Sequence, residues 1–145
     1  MSDTERASSS PASSRHTGKG VGLVLVALYG LFALAATGRA TFQILADFAK
    51  APVAYLLSAL AAVVYLVASV ALARGDRTSV RVARAAITTE LVGVLVVGLV
   101  SYLVPSGFPD KTVWSHFGSG YGYVPLLLPI LGLLWLRRTR ARSAA

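Results

Sequence analysis

AAITTELVGVLVVGLVSYLV (85–104) is a run of twenty residues in which apolar side chains dominate and one charge, Glu90, interrupts. Wound as a helix at 1.5 Å per residue, it spans about 30 Å, the thickness of a bilayer's hydrocarbon layer. Blocks of the same kind stand at 20–38, 51–73 and 118–136. Over 145 residues the chain is 55% hydrophobic and 14% charged, with a mean hydropathy of +0.66. That is more apolar surface than one small water-soluble domain can hide. The pattern predicts an all-α fold, an integral membrane four-helix bundle, and excludes a soluble globular enzyme or a disordered chain. A disulfide framework is excluded too, because the chain has no cysteine.

The net charge of +8 comes from 14 Lys and Arg against 6 Asp and Glu. Arg6, Arg15 and Lys19 precede the first block; Arg74, Arg77, Arg81 and Arg84 separate the second from the third; Arg137, Arg138, Arg140 and Arg142 follow the fourth. Eleven basic residues thus fall on one side of the four blocks, and three (Arg39, Lys50, Lys111) on the other. The positive-inside bias places both termini in the cytoplasm of a multi-pass plasma-membrane protein. On this reading 1–19, rich in serine, is a disordered cytoplasmic tail, 20–136 the transmembrane domain and 137–145 a basic cytoplasmic tail. The expected partners are the lipid bilayer and anionic inner-leaflet lipids. Nucleic acid is not expected, since the arginine clusters lack interleaved aromatic residues for stacking. A cleaved signal peptide ending near 33–35 is the competing reading of the first block, but its 17-residue apolar run (21–37) exceeds a usual signal core.

Between blocks, Phe42, Leu45, Ala46 and Ala49 recur at helical spacing opposite Gln43, Asp47 and Lys50. This describes either an amphipathic helix on the outer membrane surface or an extension of the first span, with Gly38 the sole stop signal. Pro52 marks the entry of the second helix. Gly75-Asp76 reads as a turn, followed by Arg77, Arg81, Arg84 and Thr88 on one stripe of a cytoplasmic extension of the third helix, suited to lipid headgroups. The segment PSGFPDKTVWSHFGSGYGYVP (105–125) reads as a structured, aromatic, Gly/Pro-rich outer loop between helices three and four. Its aromatics are of the kind that settle at a membrane interface, with 118–122 entering the bilayer edge; a re-entrant pore loop is the sharper alternative. Trp114, His116, Tyr121 and Tyr123 are its candidate partner contacts. Pro125 and Pro129, four apart, are expected to bend the fourth helix.

Helices in lipid associate through small and hydrogen-bonding residues. These align as Gly22, Val26, Tyr29, Ala33 and Ala36 on the first helix, Ala54, Ser58, Ala62, Tyr65 and Ser69 on the second, and Glu90, Gly93, Val97 and Ser101 on the third, opposed there by Leu91, Leu95, Leu99 and Leu103. A homo-oligomer of such bundles is equally permitted. Glu90, the lone charge within the blocks, needs a named partner. Counted from residue 85 it lies roughly 7–8 Å below the cytoplasmic edge. Two accounts stay open: an ion pair with Lys19, Arg74 or Arg138, or a proton or cation site supported by Thr88, Thr89 or Tyr65. The candidate ligand or proton site comprises Glu90, Tyr65, Tyr29 and Ser101. Phosphate-loop, zinc, nucleophile-elbow and cysteine-pair motifs are absent, so no catalytic residue, cofactor or metal is assigned. Asp110 with His116 is too sparse a set for a metal.

The stretches GRATFQILADFAKAPVAYLLSALAAVVYLV (38–67) and FPDKTVWSHFGSGYGYVPLLLPILGLLWLRR (108–138) resemble small four-helix integral membrane proteins of actinobacteria with no assigned function. The resemblance covers about half the chain and implies a plasma-membrane location. Small multidrug exporters with four helices carry their essential carboxylate on the first helix, whereas here that helix is uncharged. The expectation is a non-enzymatic membrane protein, an accessory or partner-binding subunit. The alternative is a small oligomeric transporter or channel using Glu90.

Overall fold

The computed structural model describes residues 14–145, with side chains from residue 19 onward. Four long helices follow one another: α1 (Ser14–Asp47), α2 (Pro52–Arg74), α3 (Arg77–Leu103) and α4 (Val124–Ala144). Three short 3-10 turns, Phe48–Lys50, Pro105–Gly107 and Ser115–Tyr121, lie between them, and among the described residues there is no strand. Each helix packs chiefly on the next, α1 on α2, α2 on α3 and α3 on α4, and α1 also touches α4. Three of the helices are long and apolar enough to cross a membrane, and a fourth span exists if Ser115–Tyr121 and α4, bent by 99° at their junction, count together.

Local chemistry sets the ends. Gly38 does not stop α1, because a C-terminal glycine acts by turning left-handed, and Gly38 is not among the glycines with positive φ. The helix therefore continues for 34 residues. Segment 39–47 is this extension and not a separate surface helix: its apolar residues Phe42 and Leu45 are exposed, while Gln43 faces inward. Residues 14–19 belong to α1, which replaces the expected tail there; residues 1–13 lie outside the described set. Gly75 at φ 68° closes α2, and Asp76 caps α3 by accepting from Thr78 N at 3.2 Å and Ser79 N at 3.1 Å. α3 thus starts at Arg77, eight positions before its apolar block. α4 starts at Val124, not 118, since Gly118, Gly122 and Tyr123 are all left-handed and cannot continue a right-handed helix. It runs on through the arginines to Ala144, so the expected basic tail is helical. Its apolar part, 124–136, covers only about 20 Å, short for a span by itself.

The inward faces are those of small and polar residues. Tyr29, Ala33 and Ala36 of α1, Ala54, Ser58, Ala62 and Tyr65 of α2, and Glu90, Val97 and Ser101 of α3 are buried. Leu95, Leu99 and Leu103 point out, while Leu91 is half-buried. Across the molecule large apolar side chains such as Leu23, Leu34, Leu56 and Val63 are exposed, and serine, tyrosine and glutamate sit within. Leu25, Ile87, Val94 and Leu128 are buried beside them, so the interior is mixed and the exterior is what differs from a water-soluble fold, suiting a surrounding as apolar as leucine itself. Ser69 Oγ donates to the Val26 carbonyl at 3.1 Å, a direct α1–α2 hydrogen bond.

Candidate functional site

Glu90 is the central residue of α3, thirteen positions from either end, or about 20 Å along the axis. It is 0% exposed. Tyr29 Oη on α1 donates to its Oε2 at 2.7 Å, and Oε1, equally buried, has no hydrogen-bond partner among the described residues. The expected ion pair with Lys19, Arg74 or Arg138 is not formed. Glu90 is instead enclosed between helices, with the Tyr29 phenol as its described hydrogen-bond partner. Among the described residues the ion pair is Lys50–Asp110, at the other end of the molecule. Thr88 and Thr89 lend no support either: both are exposed, and Thr89 Oγ1 donates to its own helix at the Ala85 carbonyl.

Tyr65 on α2 lies beside Tyr29, ring centroids 6.2 Å apart. Its hydroxyl accepts from Trp114 Nε1 at 3.0 Å. Trp114 belongs to the loop after α3, and its indole reaches into the bundle until it lies against Gly93, where a Cβ would come within 2.6 Å of the ring. The residue is 1% exposed. The loop aromatic expected at the membrane interface as a partner contact is therefore an internal plug. It docks one helical turn from Glu90 on the face left open by glycine. A glycine inside a helix costs about 1 kcal/mol relative to alanine, and the slot for Trp114 is what Gly93 supplies in return; that was the available signal for a large side chain arriving from elsewhere.

The turn that presents Trp114 is built from Thr112-Val113-Trp114-Ser115. Thr112 Oγ1 accepts from the backbone N–H groups of Trp114 (3.1 Å) and Ser115 (3.0 Å), and Ser115 Oγ accepts from Thr112 N at 2.9 Å. All four residues are buried. Ser101 ties this turn to α3: its Oγ accepts from His116 N at 2.8 Å and donates to the Gly98 carbonyl. Ser101 thus serves the loop. Eleven residues from Glu90 along α3, it is not part of the carboxylate's surroundings. His116 and Phe117 both adopt left-handed conformations, at φ 52° and 59°, a geometry that costs non-glycine residues roughly 1 kcal/mol or more each. Contacts hold them: the His116 ring stands edge-on to Tyr102 at 4.5 Å, and Phe117 lies over Gly98.

The loop is also strapped to α1 and α2. Arg39 donates to Tyr121 Oη at 2.9 Å and to the Lys111 carbonyl at 2.7 Å. Asp110 accepts from Tyr55 Oη at 2.5 Å and from Lys50 Nζ at 3.1 Å. The phenol hydrogen bond first, and then the lysine, hold the Asp110 carboxyl below the usual carboxylate range. With Asp110 committed to the strap and His116 to Tyr102, the two do not meet. Tyr121 is half-buried, in the ring column Tyr65–Phe32–Tyr121 that leads from the centre to the loop end. Tyr123 is 48% exposed, the one of the four candidate loop contacts that is well presented outward.

The structure therefore brings together Glu90, Tyr29, Tyr65 and Trp114, and leaves Ser101, His116 and Tyr123 apart. No family model, curated protein or solved structure matches the chain.

Proposed function

We propose that this chain is a multi-pass plasma-membrane protein with both termini cytoplasmic, acting without enzymatic chemistry as a small transporter or channel in which Glu90 holds a proton or a small cation. One observation carries the reading: a carboxylate buried at the centre of the bundle, with a single phenol donor on one oxygen and no described partner on the other. An ion stripped of water and left uncompensated is disfavoured by several kcal/mol, so this group holds a proton or takes up a cation. Ionisable residues at such depth mark ion and proton pathways. Trp114 closes the carboxylate off from the loop end, hydrogen-bonded to Tyr65 and packed on Gly93.

Reconstitution into liposomes tests the reading. With an imposed pH or potassium gradient, the wild-type protein is expected to pass protons or potassium, and Glu90→Gln to lose at least about tenfold of that flux, the worth of a charge-assisted contact. Absence of flux in both proteins removes the transporter reading. The second reading, an accessory subunit or homo-oligomer, is favoured by the exposure of Tyr123, Leu103 and Phe42. Unchanged recovery of a co-purifying membrane partner by a Tyr123→Ala variant would count against it.

A further inference from the structure

At the end of the bundle opposite the loop, α2, α3 and α4 leave a cleft of about 600 Å³. Its rim carries Arg77, Arg81 and Arg84 from α3 and Arg140 from α4. Leu72, Val80 and Leu136, half-buried or buried, give it an apolar floor, and Trp135, Thr139 and Ser143 complete the lining, the Trp135 ring also lying against Gly22 of α1. No acidic residue lines it. The nearest carboxylate in sequence, Asp76, caps α3, and the Ser79 hydroxyl first, then the Ser79 and Thr78 N–H groups, hold it below the usual carboxylate range. The ion pair among the described residues is Lys50–Asp110, and it involves none of these arginines.

Four guanidinium groups above an apolar floor match an amphiphile with an anionic head. Arginine's planar fork suits phosphate oxygens, and basic pockets between membrane helices are where anionic headgroups lodge. We infer that this cleft is a binding site for one anionic phospholipid, its phosphate held by Arg81, Arg84 and Arg140 and the first part of its acyl chains against Leu72, Leu136 and Trp135. This is a built site with an apolar floor, distinct from diffuse attraction of basic helix ends to a charged surface, and it is independent of the role given to Glu90.

Trp135 makes the test optical. Full-length protein is reconstituted in phosphatidylcholine vesicles containing a minor fraction of phosphatidylglycerol brominated on its acyl chains, and quenching of tryptophan emission is compared with that by brominated phosphatidylcholine; Trp114, being buried, contributes little. Wild type is expected to prefer phosphatidylglycerol. Arg84→Gln/Arg140→Gln is expected to lower that preference by at least about tenfold, the loss of charge-assisted hydrogen bonds to the phosphate. Arg137→Gln/Arg142→Gln, with the same charge change at residues that do not line the cleft, is expected to lower it by less than about threefold, because those charges act only through salt-screened attraction and make no hydrogen bond to the bound phosphate. Equal losses in the two variants mean diffuse anchoring and overturn the proposal, as does the absence of any preference in wild type. Inorganic phosphate added to wild-type vesicles is expected to leave quenching unchanged. Relief of quenching by phosphate would identify the occupant as a free anion and overturn the lipid assignment.

Discussion

Tyr29 supplies Glu90 with a hydrogen bond that water cannot replace at 0% exposure. Tyr29→Phe is therefore expected to destabilise the detergent-solubilised protein by about 1–3 kcal/mol, the cost of stranding a buried polar group. In a Glu90→Leu background the same change should cost much less, because the group left stranded is gone. A double-mutant cycle on unfolding measures the difference, and equal losses in both backgrounds would refute the coupling. Gly93 is the second residue on which the centre turns. Gly93→Leu puts a side chain where the Trp114 indole lies, so about 1–3 kcal/mol of overpacking is expected, together with a red shift of tryptophan emission as the ring is driven outward. An unshifted spectrum would mean that the plug does not occupy this slot.

At the scale of elements, the loop between α3 and α4 has its own electrostatic latch. Tyr55 and Lys50 hold Asp110 below its ordinary range, so the group binds fewer protons docked than free. Its contribution is complete above the free carboxylate value, about pH 4, and is lost as pH falls through the docked value. Protease cleavage or amide exchange in 105–123 is expected to rise as the pH is taken below about 4, and Asp110→Asn should remove that pH step. At the opposite end, Asp76→Ala removes the cap of α3 and is expected to cost about 0.5–2 kcal/mol in thermal unfolding.

The four-block pattern and the spacing of small residues were enough to indicate which helices exist and which faces they bury, since both depend on composition repeating at the helical period. Where α3 begins was legible: the Gly75-Asp76 turn and the arginine stripe after it point to a helix that starts before its apolar block, and it starts at Arg77. The Asp76 cap fixes that start by accepting from Thr78 N and Ser79 N. Trp114 was misplaced. An aromatic residue in a Gly/Pro-rich loop has the same composition whether it floats at an interface or enters a bundle, and only the opening at Gly93 distinguishes the two.

For the whole molecule, the proposed orientation has a direct check, because a chain without cysteine accepts single-cysteine probes cleanly. In intact cells a membrane-impermeant maleimide is expected to label Ser106→Cys in the loop and to spare Ala145→Cys until the membrane is broken. The reverse pattern would invert the topology. The amino-acid sequence by itself determined the apolar helices and the asymmetry of their charge, because both are sums over local composition. Tertiary structure alone decided that Glu90 meets Tyr29 and not an arginine, that the loop folds inward, and that four arginines close on one cleft. Each of those depends on residues far apart in the chain being held within a few ångströms, and a one-dimensional pattern carries no such distance.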